Sequence, residues 1–100
     1  MLISKDFVGG KPDKVQFNFE EEGLHDDEGR TITLHFKSFL LVAVYVPNSG
    51  VPILKRLRYR VQSWDQDFKV FLRDKVMMKY RKPLILCGDL NISHHERDIW

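Results

Sequence analysis

Phe39-Leu-Leu-Val-Ala-Val-Tyr-Val46, followed at once by Pro47-Asn48-Ser49-Gly50, is the stretch that decides the fold class of this chain. It is a nearly continuous apolar run with several β-branched members, which suits a central strand covered on both faces. The run ends where Pro47 cannot donate to a ladder and where Asn48 and Gly50 tolerate turn dihedrals.

Upstream, Val15, Phe17 and Phe19 alternate with polar residues, as do Ile32, Leu34 and Phe36, giving the period of two of strands with one buried face. Lys37 and Ser38 are placed to turn a hairpin into the central run. Glu20 to Gly29 is acidic, carries two glycines and lacks apolar periodicity, so it reads as an exposed connection. Downstream, Leu54, Leu57, Val61, Trp64, Phe68, Leu72 and Val76 recur at spacings of three and four, which predicts one stripe of a long amphipathic helix. Pro83 stops that helix, and Leu84-Ile-Leu-Cys87 is a short apolar strand leading into Gly88-Asp89-Leu90-Asn91.

The order strand, strand, strand, helix, strand predicts a mixed α/β sheet, because a strand–helix–strand crossover lays a helix on one sheet face. Four strands and one helix bury little, so the apolar strands at Phe39–Val46 and Leu84–Cys87 require cover on a second side.

Composition narrows the class. The 100 residues, 43% apolar and 30% charged, amount to one folded domain at most and exclude disorder over most of the chain. No apolar run reaches the roughly 18 residues of a membrane span, and the Met-Leu-Ile start lacks the charged segment of a secretion signal. Cys87, the one cysteine, has no partner for an intramolecular disulfide, which fits a reducing compartment. It reads as a small buried residue of its strand. Net charge is only +2, but ten Lys or Arg lie between Lys55 and Lys82 against Asp65, Asp67 and Asp74. That distribution admits a helix face for phosphates or an ordinary solvated exterior.

The polar residues at the strand ends carry the candidate chemistry. Asp89 and Asn91 are two apart, so an extended backbone would project both to one side. The carboxylate would take a proton from a water while the amide donates to a developing oxyanion; the alternative is a turn or cap. Tyr45 and Asn48 offer a phenol and an amide to a phosphate oxygen, or a core residue and a turn residue respectively. His94-His95-Glu96 and Asp98 are metal-ligand types, yet adjacent histidines point apart, which favours surface or capping roles. No Gly-rich phosphate loop, nucleophile elbow or zinc-ligand array occurs.

Asp27-Glu28-Gly29-Arg30, Leu41 through Tyr45-Val-Pro-Asn-Ser-Gly50, Arg56-Leu-Arg-Tyr-Arg60 with Trp64-Asp65, and Lys82-Pro-Leu-Ile-Leu-Cys-Gly-Asp-Leu-Asn91 stand in one order with compatible spacing. Together they resemble the exonuclease III/apurinic–apyrimidinic endonuclease family, within the endonuclease/exonuclease/phosphatase superfamily, from about residue 13 onward. The resemblance implies an α/β fold that is part of a four-layer αββα sandwich with two packed mixed β-sheets. Residues 1–100 would form a partial domain of that sandwich, supplying about four strands and one long helix and lacking the segments on either side. It further implies Mg²⁺-dependent hydrolysis, with Mn²⁺ as the alternative ion, of the phosphodiester 5′ to abasic sites in duplex DNA, with 3′-exonuclease activity alongside. A monomeric parent, no membrane and a nuclear location belong to the same expectation.

By this resemblance Tyr45 and Asn48 match residues that contact the target phosphate, and Arg30 matches one on the DNA backbone. Asp89 matches the aspartate that orients or deprotonates the attacking water and Asn91 the asparagine that assists it, either of them also near a second or water-mediated metal position. The family's principal metal-binding residues match no position here, which predicts that the isolated chain does not cut. Two other readings remain: a noncatalytic DNA-binding or partner-binding remnant, and a superfamily phosphodiesterase acting on a lipid or inositol phosphate.

Overall fold

A computed structural model describes residues 1–7, 10–19, 25–50 and 52–98; residues 20–24 of the acidic connection and Val51 lie outside the described residues. Strands β1 (Lys14–Phe17), β2 (Thr31–His35), β3 (Leu40–Tyr45) and β4 (Leu84–Asp89) form one sheet in the order β1-β2-β3-β4. The first two pairings are antiparallel and β3–β4 is parallel. Phe36 and Phe39 close the β2–β3 hairpin around Lys37 and Ser38, with the Phe36 N–H donating to the Phe39 carbonyl at 3.0 Å.

A parallel neighbour cannot be reached by a tight turn, so the chain crosses over through helix α1. This rod runs through Leu57–Tyr59, Arg60–Trp64, Asp65–Val70 and Phe71–Met78 in unbroken succession. The second and fourth stretches have the wider π-helical turn, which shifts the inward stripe. Trp64, Phe68, Phe71 and Val76 are buried, whereas Leu54, Leu57 and Val61, expected on the same stripe, are exposed. Phe71 was not among the expected inward residues; the wider turn brings it in beside Leu72.

Leu40, Val42 and Val44 of β3 face the helix and form the core with Phe19, Val46, Trp64, Phe68, Phe71 and Val76. Phe19 stacks on Phe71 with ring centroids 5.0 Å apart and lies 5.5 Å from the Trp64 ring. It turns inward because Asn18, at φ 57°, breaks the alternation at the end of β1. Val15 and Phe17 consequently stay exposed and do not share a buried face with Phe19.

Strand β2 also departs from the expected one-sided pattern. Thr31, Thr33 and His35 pair with Val44, Val42 and Leu40, and so lie on the helix-covered side, all buried. Ile32 and Leu34 take the opposite side. Leu34 and Phe36 are nonetheless buried, and the Phe36 ring lies against Phe7 and Phe39 at 5.6 and 4.6 Å. Cys87 is exposed, contrary to the buried place its apolar strand suggests, because it shares the uncovered side with Ile85.

Gly88 is required by the parallel pairing. It sits opposite Val44 at φ 134°, and a Cβ there would overlap the Val44 carbonyl while standing 2.9 Å from the Val44 nitrogen. Among the described residues, no helix is long and apolar enough to cross a membrane.

Candidate functional site

The parallel register sets Tyr45 directly beside Asp89 at the carboxyl ends of β3 and β4, where ligands of open α/β sheets collect. Both side chains leave the sheet on the side away from the helix, and both residues are exposed. The Val46 N–H donates to the Asp89 carbonyl at 2.9 Å, carrying the ladder one step beyond the strands.

Asn91 reaches the same end by another route than strand alternation. It lies beyond β4 with φ 46°, a left-handed geometry that asparagine tolerates. Its backbone N–H donates to Asp89 Oδ1 at 2.8 Å, and its Nδ2 donates to the Val46 carbonyl at 2.7 Å. The turn reading of Asp89 and Asn91 is thus the one the backbone displays, and the Asn91 Nδ2 expected as an oxyanion donor instead donates to the Val46 carbonyl. Arg60 locks this turn from the helix, donating to the carbonyls of Asn91 at 2.5 Å and Leu90 at 3.0 Å.

Asn48 is exposed after the buried Val46 and Pro47. Its Oδ1 accepts the Gly50 N–H at 3.1 Å, an Asx turn that does not use the amide NH₂. The Gly50 left-handed bend, at φ 79°, is part of the same turn.

Arg30 joins the group from the residue before β2. Its Nη1 donates to the Tyr45 carbonyl at 3.0 Å, and its guanidinium lies over the Tyr45 ring at 5.0 Å. Glu28 holds that guanidinium by a 2.5 Å bond to Nε and reaches Arg56 Nη2 at 2.6 Å. Its hydrogen bond with Arg30 holds the Glu28 carboxyl below its ordinary range; desolvation opposes this and Arg56 adds to it. Arg30, Tyr45, Asn48, Asp89 and Asn91, five positions marked by the sequence, thus share one end of the sheet, whereas His94 and His95 are exposed side by side, with ring centroids 4.4 Å apart. No group of three or more metal-ligating side chains gathers among the described residues.

Sequence reasoning gave no role to Glu28, Arg56 or Arg60 individually, although each falls inside a motif. Part of the basic stretch between Lys55 and Lys82 is spent on such internal bonds, and Lys82 Nζ likewise donates to the Phe36 carbonyl at 2.8 Å. A free solvated face is therefore too simple a description of it.

Fold and site define an α/β protein whose polar groups converge at the carboxyl ends of a parallel strand pair. Comparison with known proteins gives the particular family. No family model matches the chain. It is 43% identical over 91 residues to a DNA-(apurinic or apyrimidinic site) endonuclease of Dictyostelium discoideum, covering 89% of this chain and 24% of the relative. A namesake from Arabidopsis thaliana is 38% identical over 99% of this chain and 26% of its own length. An exodeoxyribonuclease of Bacillus subtilis is 43% identical over 75% of this chain and 28% of its own length. The sequence belongs to the exonuclease III/apurinic–apyrimidinic endonuclease family, and it spans about a quarter of the length of these relatives.

Proposed function

We propose that this chain is the phosphate-gripping and water-positioning half of a metal-dependent DNA repair nuclease that hydrolyses the phosphodiester 5′ to an abasic site. The observation that carries the reading is the meeting of Tyr45 with Asp89 across the parallel ladder, with Asn91 bonded to Asp89 and Arg30 over Tyr45. The names of the relatives support the substrate and the reaction class.

In this reading the Tyr45 hydroxyl and the Asn48 amide NH₂ donate to the nonbridging oxygens of the target phosphate, and Arg30 neutralises the neighbouring backbone charge. The Asp89 oxygen not bonded to the Asn91 N–H accepts a proton from the attacking water and aligns it. Asn91, fixed by Val46 and Arg60, has its amide oxygen as the group that assists at this water. Hydrolysis breaks the bond from phosphorus to the 3′ oxygen of the preceding nucleotide, leaving a 3′-hydroxyl and a 5′-phosphate. A 3′-exonuclease activity is the same chemistry at a strand end, and the exodeoxyribonuclease relative supports it.

The donor set fits a hard divalent cation in part. One carboxylate oxygen of Asp89 and the amide oxygen of Asn91 are oxygen ligands of the kind Mg²⁺ and Mn²⁺ take, with water completing the shell. When bound, such a cation would supply neutralisation of charge on the phosphate and the leaving oxygen. With two ligands on this chain, we propose that the isolated 100 residues do not cut. We extend the architecture in the same way: the apolar side of the sheet away from α1 packs on a second sheet, giving the four-layer sandwich. Its exposed Phe17, Ile85 and Cys87 support that reading.

The test is incision of a labelled abasic duplex with Mg²⁺ by the 100-residue chain and by a longer protein that contains it. Cutting by the longer protein only is expected, and Asp89→Asn in it should lower kcat by about 10²–10⁴ while sparing the fold. Unchanged turnover in Asp89→Asn would remove the water role, and metal-dependent cutting by the 100 residues alone would overturn the half-site reading.

A further inference from the structure

A second polar array lies apart from the Tyr45–Asp89 end. His25 precedes the turn Asp26–Glu28, its side chain is 8% exposed, and its ring is wedged among Phe19, Tyr59 and Trp64 at 5.6, 5.4 and 6.4 Å. Both ring nitrogens are engaged by helix α1: Nδ1 with the Tyr59 hydroxyl at 2.7 Å and Nε2 with Asp67 Oδ2 at 2.9 Å. A carboxylate only accepts, so Nε2 carries a hydrogen, and in the neutral ring Nδ1 accepts the Tyr59 O–H. Three side chains from two distant segments thereby form one chain of hydrogen bonds, Asp67 to His25 to Tyr59.

The backbone shows what the array holds. His25 has φ 59° and Gly29 φ 57°, so the turn between them is bounded by two left-handed residues, one of them a side-chain-bearing residue for which that geometry is unfavourable. The array offsets that strain. Glu28, in the turn itself, grips Arg30 and Arg56, and Arg30 in turn covers Tyr45. Tyr59 continues the line, because Arg56 lies over its ring at 5.5 Å and its edge borders a cavity of about 290 Å³ shared with His25, Asp27, Glu28 and Arg56. Burial first, and the Glu28 charge second, push the Tyr59 phenol up, so it remains an O–H donor to His25.

We propose that His25 is a positioning residue: clipped to helix α1 through Tyr59 and Asp67, it fixes the Asp26–Glu28 turn so that Glu28 presents Arg30 over Tyr45. This rests on the proposed role of Arg30 and Tyr45 as a phosphate grip. It deepens that role by making the placement of the grip depend on residues that touch no phosphate. Asp67 stands outside the motif stretches, so the resemblance assigns it no role.

The test is nuclear magnetic resonance on the labelled 100-residue chain, combined with binding of an abasic duplex. In the parent chain the Arg30 Nε–H should exchange slowly, and the Tyr45 ring signals should be displaced by the guanidinium. His25→Ala should abolish the slow Arg30 signal and return Tyr45 toward free-tyrosine shifts while the amide signals of the β2–β3 ladder stay in place. Tyr59→Phe and Asp67→Asn each change one bond of the array and keep its shape, so they carry the test if His25→Ala does not fold. Both should move Arg30 and Tyr45 in the same direction by a smaller amount. Unchanged Arg30 and Tyr45 signals in the folded variants would overturn the latch, whatever the DNA result. If those signals move but the parent chain shows no preference for an abasic over an intact duplex, the latch stands and the phosphate-grip reading fails. If both hold, His25→Ala should weaken abasic-duplex binding about tenfold, as loss of one well-placed charged contact does.

Discussion

Leu40, Val42 and Val44 alternate along β3 with Leu41, Ala43 and Tyr45, and the two sets live in different surroundings. The first set is sealed under Trp64, Phe68 and Phe71, with exposures of 0 to 4%. On the other side Phe17, Ile85 and Tyr45 are 66%, 48% and 49% exposed, although the strands are as apolar in that direction as in the first. Apolarity alone therefore does not locate the core. The helix seals the first side along β3, whereas on the other side burial is confined to Leu34 and to Phe36 beside Phe7 and Phe39, and the exposed end carries the polar site.

The difference between the faces can be broken most completely at Gly88. Gly88→Ala should unfold the chain or cost about 4 kcal/mol or more, because a Cβ overlaps the Val44 backbone and the positive φ resists any side chain. Chemical denaturation measures this, and a near-neutral result would mean that β4 leaves the sheet at little cost. A pair of substitutions sharpens the comparison next. Trp64→Ala empties the covered side and should cost about 3–5 kcal/mol, whereas Phe17→Ser on the open side should stay within about 0.5 kcal/mol. A large loss from Phe17→Ser would show that something covers the open side in solution.

The smallest effect concerns the polar rim. Glu28 has its carboxyl held down in the fold, so its contribution is present above the ordinary value of 4.5 and is lost as pH falls through the lower folded value. The sign follows from the unfolded chain taking up the proton first. Stability of the parent chain should therefore drop more steeply below pH 4.5 than that of Glu28→Gln, which has no such proton to bind. Equal slopes would remove Glu28 as the anchor of Arg30 and Arg56.

Much of the fold was legible, and the failures have physical causes. The run Phe39–Val46, the hairpin at Lys37–Ser38, the long helix and the strand before Gly88 all followed from period and breakers. What could not be read was the sidedness of β2, since Thr31 and Thr33 look like solvent-facing residues until the register puts them under the helix. The inward place of Phe71 depends on π-helical turns, which leave no mark in a pattern of threes and fours. At the site, the sequence marked Tyr45 and Asp89 separately and only the register sets them side by side, and the turn at Asn91 took the place of strand alternation. His25, Tyr59 and Asp67 were invisible as a group because 34 and 42 residues of separation hide them.

The register that sets Tyr45 beside Asp89 also has a temporal side. Antiparallel β2–β3 pairing closes around two residues, but β3–β4 pairing closes a loop that contains the whole of α1. Closure entropy has to be met before any of that pairing is gained, which makes crossovers slow steps. The two halves of the site meet only when the crossover is complete, so a chain stalled earlier in folding presents Tyr45 without Asp89 and has no assembled site to offer.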